Sequence, residues 1–215
     1  MSDLASTRDH AALMDAVYRG QRQIYDVTRK FFLFGRDSLI AGLKCEPGDT
    51  VLEIGCGTGR NLSLIARRWP GAALYGLDIS VEMLASAQAK LGRHATLACG
   101  DATDFDAGAL FGREKFDRVV ISFALSMIPD WQTAIEQGLR TLSPTGTLHM
   151  VDFGDSNGLP CLLRTGLNAW LHRFHVTPRL NLGTSAAAIA ARHGRRCHMK
   201  RGPMDYYWLL TVGPI

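Results

Sequence analysis

Apolar residues recur along this chain with two periods, and the switch between them sets the expected architecture. In the first forty residues Leu13, Val17, Ile24, Val27, Phe31 and Phe34 fall at helix-like spacing, which predicts helices over 10–19 and from 24 to about 40. Short apolar runs then take over at 50–54, 73–77, 96–99, 118–122 and 147–153, each of a length that suits a buried strand. Helical stretches start near Gly59, Val81, Pro129 and Thr184. A βαβα rhythm of this kind predicts a parallel sheet with helices on both faces. Pro144-Thr145-Gly146 reads as the turn into the fifth strand. At the carboxyl end two strand-like runs, 195–200 and 206–212, are joined by Gly202-Pro203-Met204-Asp205. That link is too short for a crossover helix, so the pair should form an antiparallel hairpin at the sheet edge.

The candidate chemistry sits where strands end. Val51-Leu52-Glu53-Ile54 runs into Gly55-Cys56-Gly57-Thr58-Gly59 and then Arg60-Asn61, a strand passing through a glycine loop into a helix. Glycines there allow positive φ and a close approach of ligand to backbone. Glu53 is out of place as core and makes sense as a ligand-facing acceptor. The dinucleotide fingerprint needs a third glycine at position 60, which is Arg60, and no Gly-Lys-Ser/Thr follows as a P-loop requires. What remains, Glu-x-Gly-x-Gly-x-Gly, resembles motif I of the class I S-adenosylmethionine-dependent methyltransferases. Asp78 ends the second apolar run and Asp101 follows the third. An acid at the second strand end accepts from ribose hydroxyls in nucleoside-binding sheets, and the resemblance implies that Asp101 holds the adenine amino group. Either acid alone also suits a helix N-cap. The ordered set of Glu53, Asp78 and Asp101 favours a ligand.

Size and composition narrow the classes. The 215 residues predict one domain with a substantial core, and 47% apolar with 20% charged residues excludes the disordered class. A net charge of +4 suits an anionic surface but is too small to indicate nucleic acid. The five cysteines are scattered without a C-x-x-C pair, which argues against structural zinc or a disulfide scaffold and for a reduced, cytoplasmic protein. No apolar run approaches the roughly 20 residues of a membrane span, and the polar amino terminus predicts no secretory signal. Residues between Phe153 and about Thr184 exceed the minimal fold. Leu162, Leu163, Leu167, Trp170, Leu171 and Phe174 suit an amphipathic helix, which either covers the sheet or forms a cap for the methyl acceptor that touches a membrane.

Four segments narrow the resemblance. Ile24-Tyr25-Asp26-Val27-Thr28-Arg29-Lys30-Phe31-Phe32-Leu33-Phe34-Gly35-Arg36-Asp37, the loop Leu52-Glu53-Ile54-Gly55-Cys56-Gly57-Thr58-Gly59-Arg60-Asn61, Phe123-Ala124-Leu125-Ser126-Met127-Ile128-Pro129-Asp130-Trp131 and Phe174-His175-Val176-Thr177-Pro178-Arg179 resemble the bacterial betaine-lipid N-methyltransferases. The loop supports the cofactor; the first and last segments carry the substrate. The resemblance implies a Rossmann-like α/β fold, a seven-stranded mostly parallel sheet with an antiparallel last strand and helices on both faces. It implies S-adenosylmethionine as cofactor and stepwise trimethylation of diacylglyceryl homoserine. Over 1–215 it implies a helical lid (1–45), a cofactor-binding core (46–153), an acceptor-cap insertion (154–183) and a final helix with hairpin (184–215). Candidate cofactor contacts are Tyr25, Thr28, Arg36, Glu53, Gly55, Gly57, Asp78, Ile79, Met83, Asp101, Ala102 and Ser122, with Arg36 placed to fork onto the cofactor carboxylate. Candidate acceptor contacts are Tyr18, His149, Asp152, His175, Arg179 and Tyr206.

Methyl transfer by in-line displacement needs positioning more than covalent catalysis, so no catalytic residue is singled out. His149, Asp152 and His175 are the candidate proton acceptors. The expected partners are a lipid at the inner-membrane surface and the enzyme that makes the homoserine lipid; no metal and no nucleic acid are expected, and the oligomeric state is open. Other readings are a phosphatidylethanolamine N-methyltransferase, a soluble small-molecule methyltransferase and a non-catalytic cofactor-binding partner. A nucleic-acid amino-methyltransferase would carry Pro-Pro-aromatic where this chain has Ser122-Phe123-Ala124-Leu125.

Overall fold

The computed structural model describes residues 34–174 and 176–215. Seven strands form one sheet in the order β3-β2-β1-β4-β5-β7-β6. They are β1 (Thr50–Ile54), β2 (Ala73–Asp78), β3 (Ala95–Cys99), β4 (Phe116–Ser122), β5 (Leu142–Phe153), β6 (Arg195–Arg201) and β7 (Tyr207–Pro214). The first five are parallel, whereas β7 runs antiparallel between β5 and β6. The expected sheet and edge hairpin are both present.

The helices are α1 (Arg36–Gly42), α2 (Arg60–Arg68), α3 (Val81–Leu91), α4 (Ala107–Phe111), α5 (Trp131–Arg140), α6 (Cys161–Arg173) and α7 (Leu182–Arg192). Apolar residues of β1, β4 and β5 alternate between two cores, as a two-sided sheet requires. Val51, Val120 and Val151 pack with α1, α2, α3 and α6 through Leu39, Leu62, Ala87 and Leu171. Leu52, Val119 and Met150 pack with α5 and α7 through Ile135 and Ala186. Side-chain caps start three helices: Ser80, Asp106 and Asp130 accept from Met83, Ala109 and Thr133 N–H.

Three expectations need correction. The amino-terminal helix does not run unbroken to residue 40: Gly35 takes φ +92°, and α1 begins after it. A side chain at Gly35 would sit 2.6 Å from the Tyr207 ring, so glycine here serves both turn and packing. Pro144-Thr145-Gly146 lies inside β5, in a bulge where the pairing jumps from Phe116–Leu142 to Arg118–Thr147. The short α4 was not expected, being too short to show a helical period.

Candidate active site

The winding of the sheet reverses between β1 and β4, since β2 lies to one side of β1 and β4 to the other. Ligands of open α/β sheets bind outside the strands' carboxyl ends at such a point. Glu53 near the end of β1, Asp78 ending β2, Asp101 just past β3 and Ser122 ending β4 all stand there.

The loop leaving β1 owes its shape to backbone freedom and to outside ties. Gly55, Gly57 and Gly59 take φ of +71°, +53° and +70°, which other residues rarely adopt. The Leu77 carbonyl accepts from Gly55 and Cys56 N–H at 2.8 and 3.0 Å. Asp78 accepts from Gly57 N–H through Oδ2 (2.7 Å) and from Ser80 N–H through Oδ1 (3.0 Å). Lys90, on α3, donates to the Thr58 carbonyl at 2.8 Å. A Cβ on Gly55 would lie 2.7 Å from that of Ala124, so the segment after β4 leans on this loop.

Glu53 is buried, and its Oε1 accepts from Asn61 Nδ2 at 2.7 Å. Asp101 Oδ1 accepts from Thr103 N–H (2.8 Å) and Oγ1–H (2.7 Å). A carboxylate takes about four hydrogen bonds, so Asp78 and Asp101 are equipped to hold the local backbone and a ligand hydroxyl or amine together. Two buried oxygens of this region, Asn61 Oδ1 and Ser122 Oγ, have no hydrogen-bond partner among the described residues. Native proteins leave few such atoms unpaired, and this group fits a polar ligand.

Residues 51–146 match the family described as a methyltransferase domain. The demethylmenaquinone methyltransferase of Mycobacterium tuberculosis is 32% identical over 184 residues, 83% of this chain and 71% of that protein. The chain belongs to the class I S-adenosylmethionine-dependent methyltransferases. The trans-aconitate 2-methyltransferase of an Azoarcus species is 31% identical over 51% of this chain and 41% of its own length. A plantazolicin methyltransferase bound to S-adenosylhomocysteine shares the fold at a TM-score of 0.70 and 16% identity, over 98% of each chain. Phosphoethanolamine N-methyltransferase 2 of Haemonchus contortus, bound to S-adenosylmethionine, does so at 0.66 and 15%, over 83% of this chain and 52% of its own. S-adenosylmethionine is the cofactor of this methyltransferase.

The remaining candidates fall into separate places. Ile79 and Ala102 flank the acids on the strand-end loops, while Met83 is packed into the core beneath them. Arg36 is buried at the start of α1. Asp152 is fully buried: Oδ2 accepts from Ser126 N–H (3.0 Å) and Oδ1 from Phe153 N–H (2.8 Å). Burial pushes its carboxyl up, opposed by those bonds and by the Arg179 charge. Arg179 is spent on backbone, donating to the carbonyls of Leu125 (3.1 Å) and Ile128 (2.8 Å), while Thr177 N–H donates to Ser126 O at 2.9 Å. The 176–179 segment is thereby fastened to the loop after β4. Tyr206 packs edge-on against Phe153 (6.0 Å between centroids) and Phe34 (5.5 Å), and burial raises its hydroxyl to about 12.

His149 stands apart. It lies in mid-strand, four residues or about 13 Å before Phe153, and lines a cavity under α1. Tyr18, Tyr25, Thr28 and His175 lie outside the described residues. Asn61, Ser126 and Lys90 were not foreseen as site-shaping groups. Asn61, the first residue after Arg60 of the loop motif, was the most readable of them.

Proposed function

We propose that this methyltransferase transfers methyl groups successively to the amine of diacylglyceryl homoserine, giving the trimethylated betaine lipid, while its cleft faces a membrane surface. The observation that carries the membrane part is an apolar rim on the cofactor end of the sheet. Leu162 and Leu163, at the start of α6, are 88% and 62% exposed, and Met204, seated against Gly158, is 53% exposed. Phe34, packed on the Tyr206 ring, is exposed as well. Contiguous exposed apolar residues mark interaction sites. No helix among the described residues is long and apolar enough to cross a membrane. The headgroup part is supported by the resemblance in the first and last of the four segments.

In this reading Glu53, Asp78, Asp101 and Ser122 hold the cofactor, with Arg36 and the amino-terminal residues closing over it. S-adenosylmethionine supplies an electrophilic methyl on a sulfonium sulfur. The neutral amine, its proton given to solvent, would displace that methyl from sulfur and leave the cofactor as the neutral thioether, and three such turnovers would complete the headgroup. Holding the two reactants in line supplies several kcal/mol of the barrier, so the chain's task is orientation and exclusion of water. Asp152 and Arg179 serve it indirectly by fixing the loop that follows Ser122.

A second reading, a demethylmenaquinone acceptor, is favoured by the 32% identity over most of the chain. Incubation with labelled S-adenosylmethionine and vesicles holding either acceptor, followed by lipid mass spectrometry, separates the two. The proposal expects mono-, di- and trimethylated homoserine lipid. Label found only in the quinone would replace it with the second reading. Equal rates on a water-soluble headgroup would refute the membrane part.

A further inference from the structure

A cavity of about 210 Å³ opens between α1 and the β5-β7-β6 edge of the sheet, lined by Ser38, Leu39 and Gly42 from one side and His149, His198 and Lys200, among others, from the other. It is set back from the strands' carboxyl ends, where the glycine loop and the three acids lie. We infer that this cavity is a second binding site, separate from the transfer cleft, for a small organic oxyanion with a short apolar arm.

Three observations point to a ligand. First, His149 is only 6% exposed and lines the cavity. One ring nitrogen, Nε2, pairs with Thr147 Oγ1 at 2.9 Å, and Nδ1 has no hydrogen-bond partner among the described residues. When the threonine hydroxyl donates to Nε2, Nδ1 is left as a donor for an oxyanion in the cavity; in the other tautomer it is an acceptor.

Second, the cavity can be entered: Gly42, which lines it at the end of α1, is exposed, and a Cβ there would meet nothing within 4 Å among the described residues. Third, the wall carries a cation, Lys200. Arg196, His198 and Lys200 share one face of β6, and among the described residues none of the three has an ion-pair partner. The other cations of this strand are occupied: Arg195 on the carbonyls of Gly146 and Ser143, and Arg201 on Asp205.

The rest of the lining defines the ligand. Leu39 and Leu209 give apolar walls, Ser38 and Thr211 add hydroxyls, and no carboxylate takes part among the described residues. The volume is below the roughly 300–1,000 Å³ of pockets for drug-sized ligands, so the occupant is a small metabolite. Because α1 leads into β1, an occupant here would brace α1 against the sheet.

Titration calorimetry of the full chain with butyl phosphate, hexanoate and inorganic phosphate tests the inference, each with and without S-adenosylmethionine. Saturable binding of butyl phosphate or hexanoate, tighter than inorganic phosphate and additive with the cofactor, is expected. Whichever of the two binds more tightly identifies the oxyanion. Gly42→Leu, which adds a bulky side chain at the cavity mouth, and Lys200→Met, which removes its charge, should each weaken that binding at least tenfold and leave cofactor affinity unchanged. Lys200 is exposed, so its variant folds even if Gly42→Leu does not. Absence of saturable binding by all three probes, undiminished binding in Lys200→Met, or competition with S-adenosylmethionine would overturn the second site. None of these results bears on the lipid acceptor.

Discussion

Asp78 is the residue whose replacement most directly tests the cofactor site. Asparagine removes the charge but keeps one oxygen able to accept from Gly57 N–H; alanine removes both. Two backbone amides end on this carboxylate, Gly57 at 2.7 Å and Ser80 at 3.0 Å. A hydrogen bond to a charged acceptor is worth about 1.5–3 kcal/mol. Asp78 is half-buried, so water reaches the freed amides, and alanine should cost about 1–2 kcal/mol of stability, with asparagine costing less. Cofactor binding should suffer more. In the proposed site the ribose hydroxyls would lose their charged acceptor in both variants, which would lower affinity roughly ten- to a hundredfold. Alanine also frees the glycine loop, so affinity should fall in the order wild type, asparagine, alanine. Calorimetry with S-adenosylmethionine, paired with urea unfolding, reads both quantities. Asparagine binding the cofactor within about twofold of wild type, with the fold intact, would remove Asp78 from the site.

Three further outcomes are expected. His149 holds a proton only below about 4 because burial, aided by Arg118, opposes its charge, whereas the unfolded chain binds that proton near 6.5. The unfolded state therefore carries more protons between these values, so stability rises with pH across the interval, is complete above about 6.5 and is lost towards 4, by about 3 kcal/mol. Urea titrations of His149→Gln should show a flatter acid limb, and identical slopes would refute this. Leu162→Asp and Leu163→Asp should each cut flotation with anionic vesicles about tenfold while cofactor titration is unchanged, since a leucine side chain is worth about 1.5–3 kcal/mol on burial. Undiminished flotation of the double variant would clear α6 of membrane contact. Arg179→Lys cannot fork onto both Leu125 and Ile128 carbonyls; it should lose about 1–2 kcal/mol in urea unfolding and speed protease cleavage after residue 176, and equal cleavage would show the tie to be dispensable.

The sheet was legible because its strands are short apolar runs bounded by glycine, proline and acids, and β1 falls on the expected 50–54. The convergence of Glu53, Asp78 and Asp101 at one end was legible for the same reason: each is the polar residue that closes or follows such a run. What escaped depends on partners distant in sequence. The break at Gly35 answers to the ring of Tyr207, and the bulge within β5 answers to the pairing of Phe116 and Arg118. Asp152 reaches Ser126 across 26 positions and Arg179 reaches Leu125 across 54, distances at which no periodicity operates. His149 falls within the expected 147–153 strand, but nothing in that pattern says that α1 and β6 leave a cavity beside it.

The stretch that holds α6 is anchored at both feet. At the first, Gly154, Ser156 and Gly158 N–H donate to the carbonyls of Tyr206, Asp205 and Met204; at the second, Thr177 and Arg179 bind the loop after β4. The first foot rests on the turn of the β6–β7 hairpin and the second on the loop after β4, while α6 itself buries few residues, Leu167 and Leu171 among them. Lengthening a closed loop is cheap, about 0.6 kcal/mol per doubling. Residues 159–174 therefore behave as an exchangeable cassette. A helix of different length or polarity could be grafted between the same two feet without asking the cofactor half to refold.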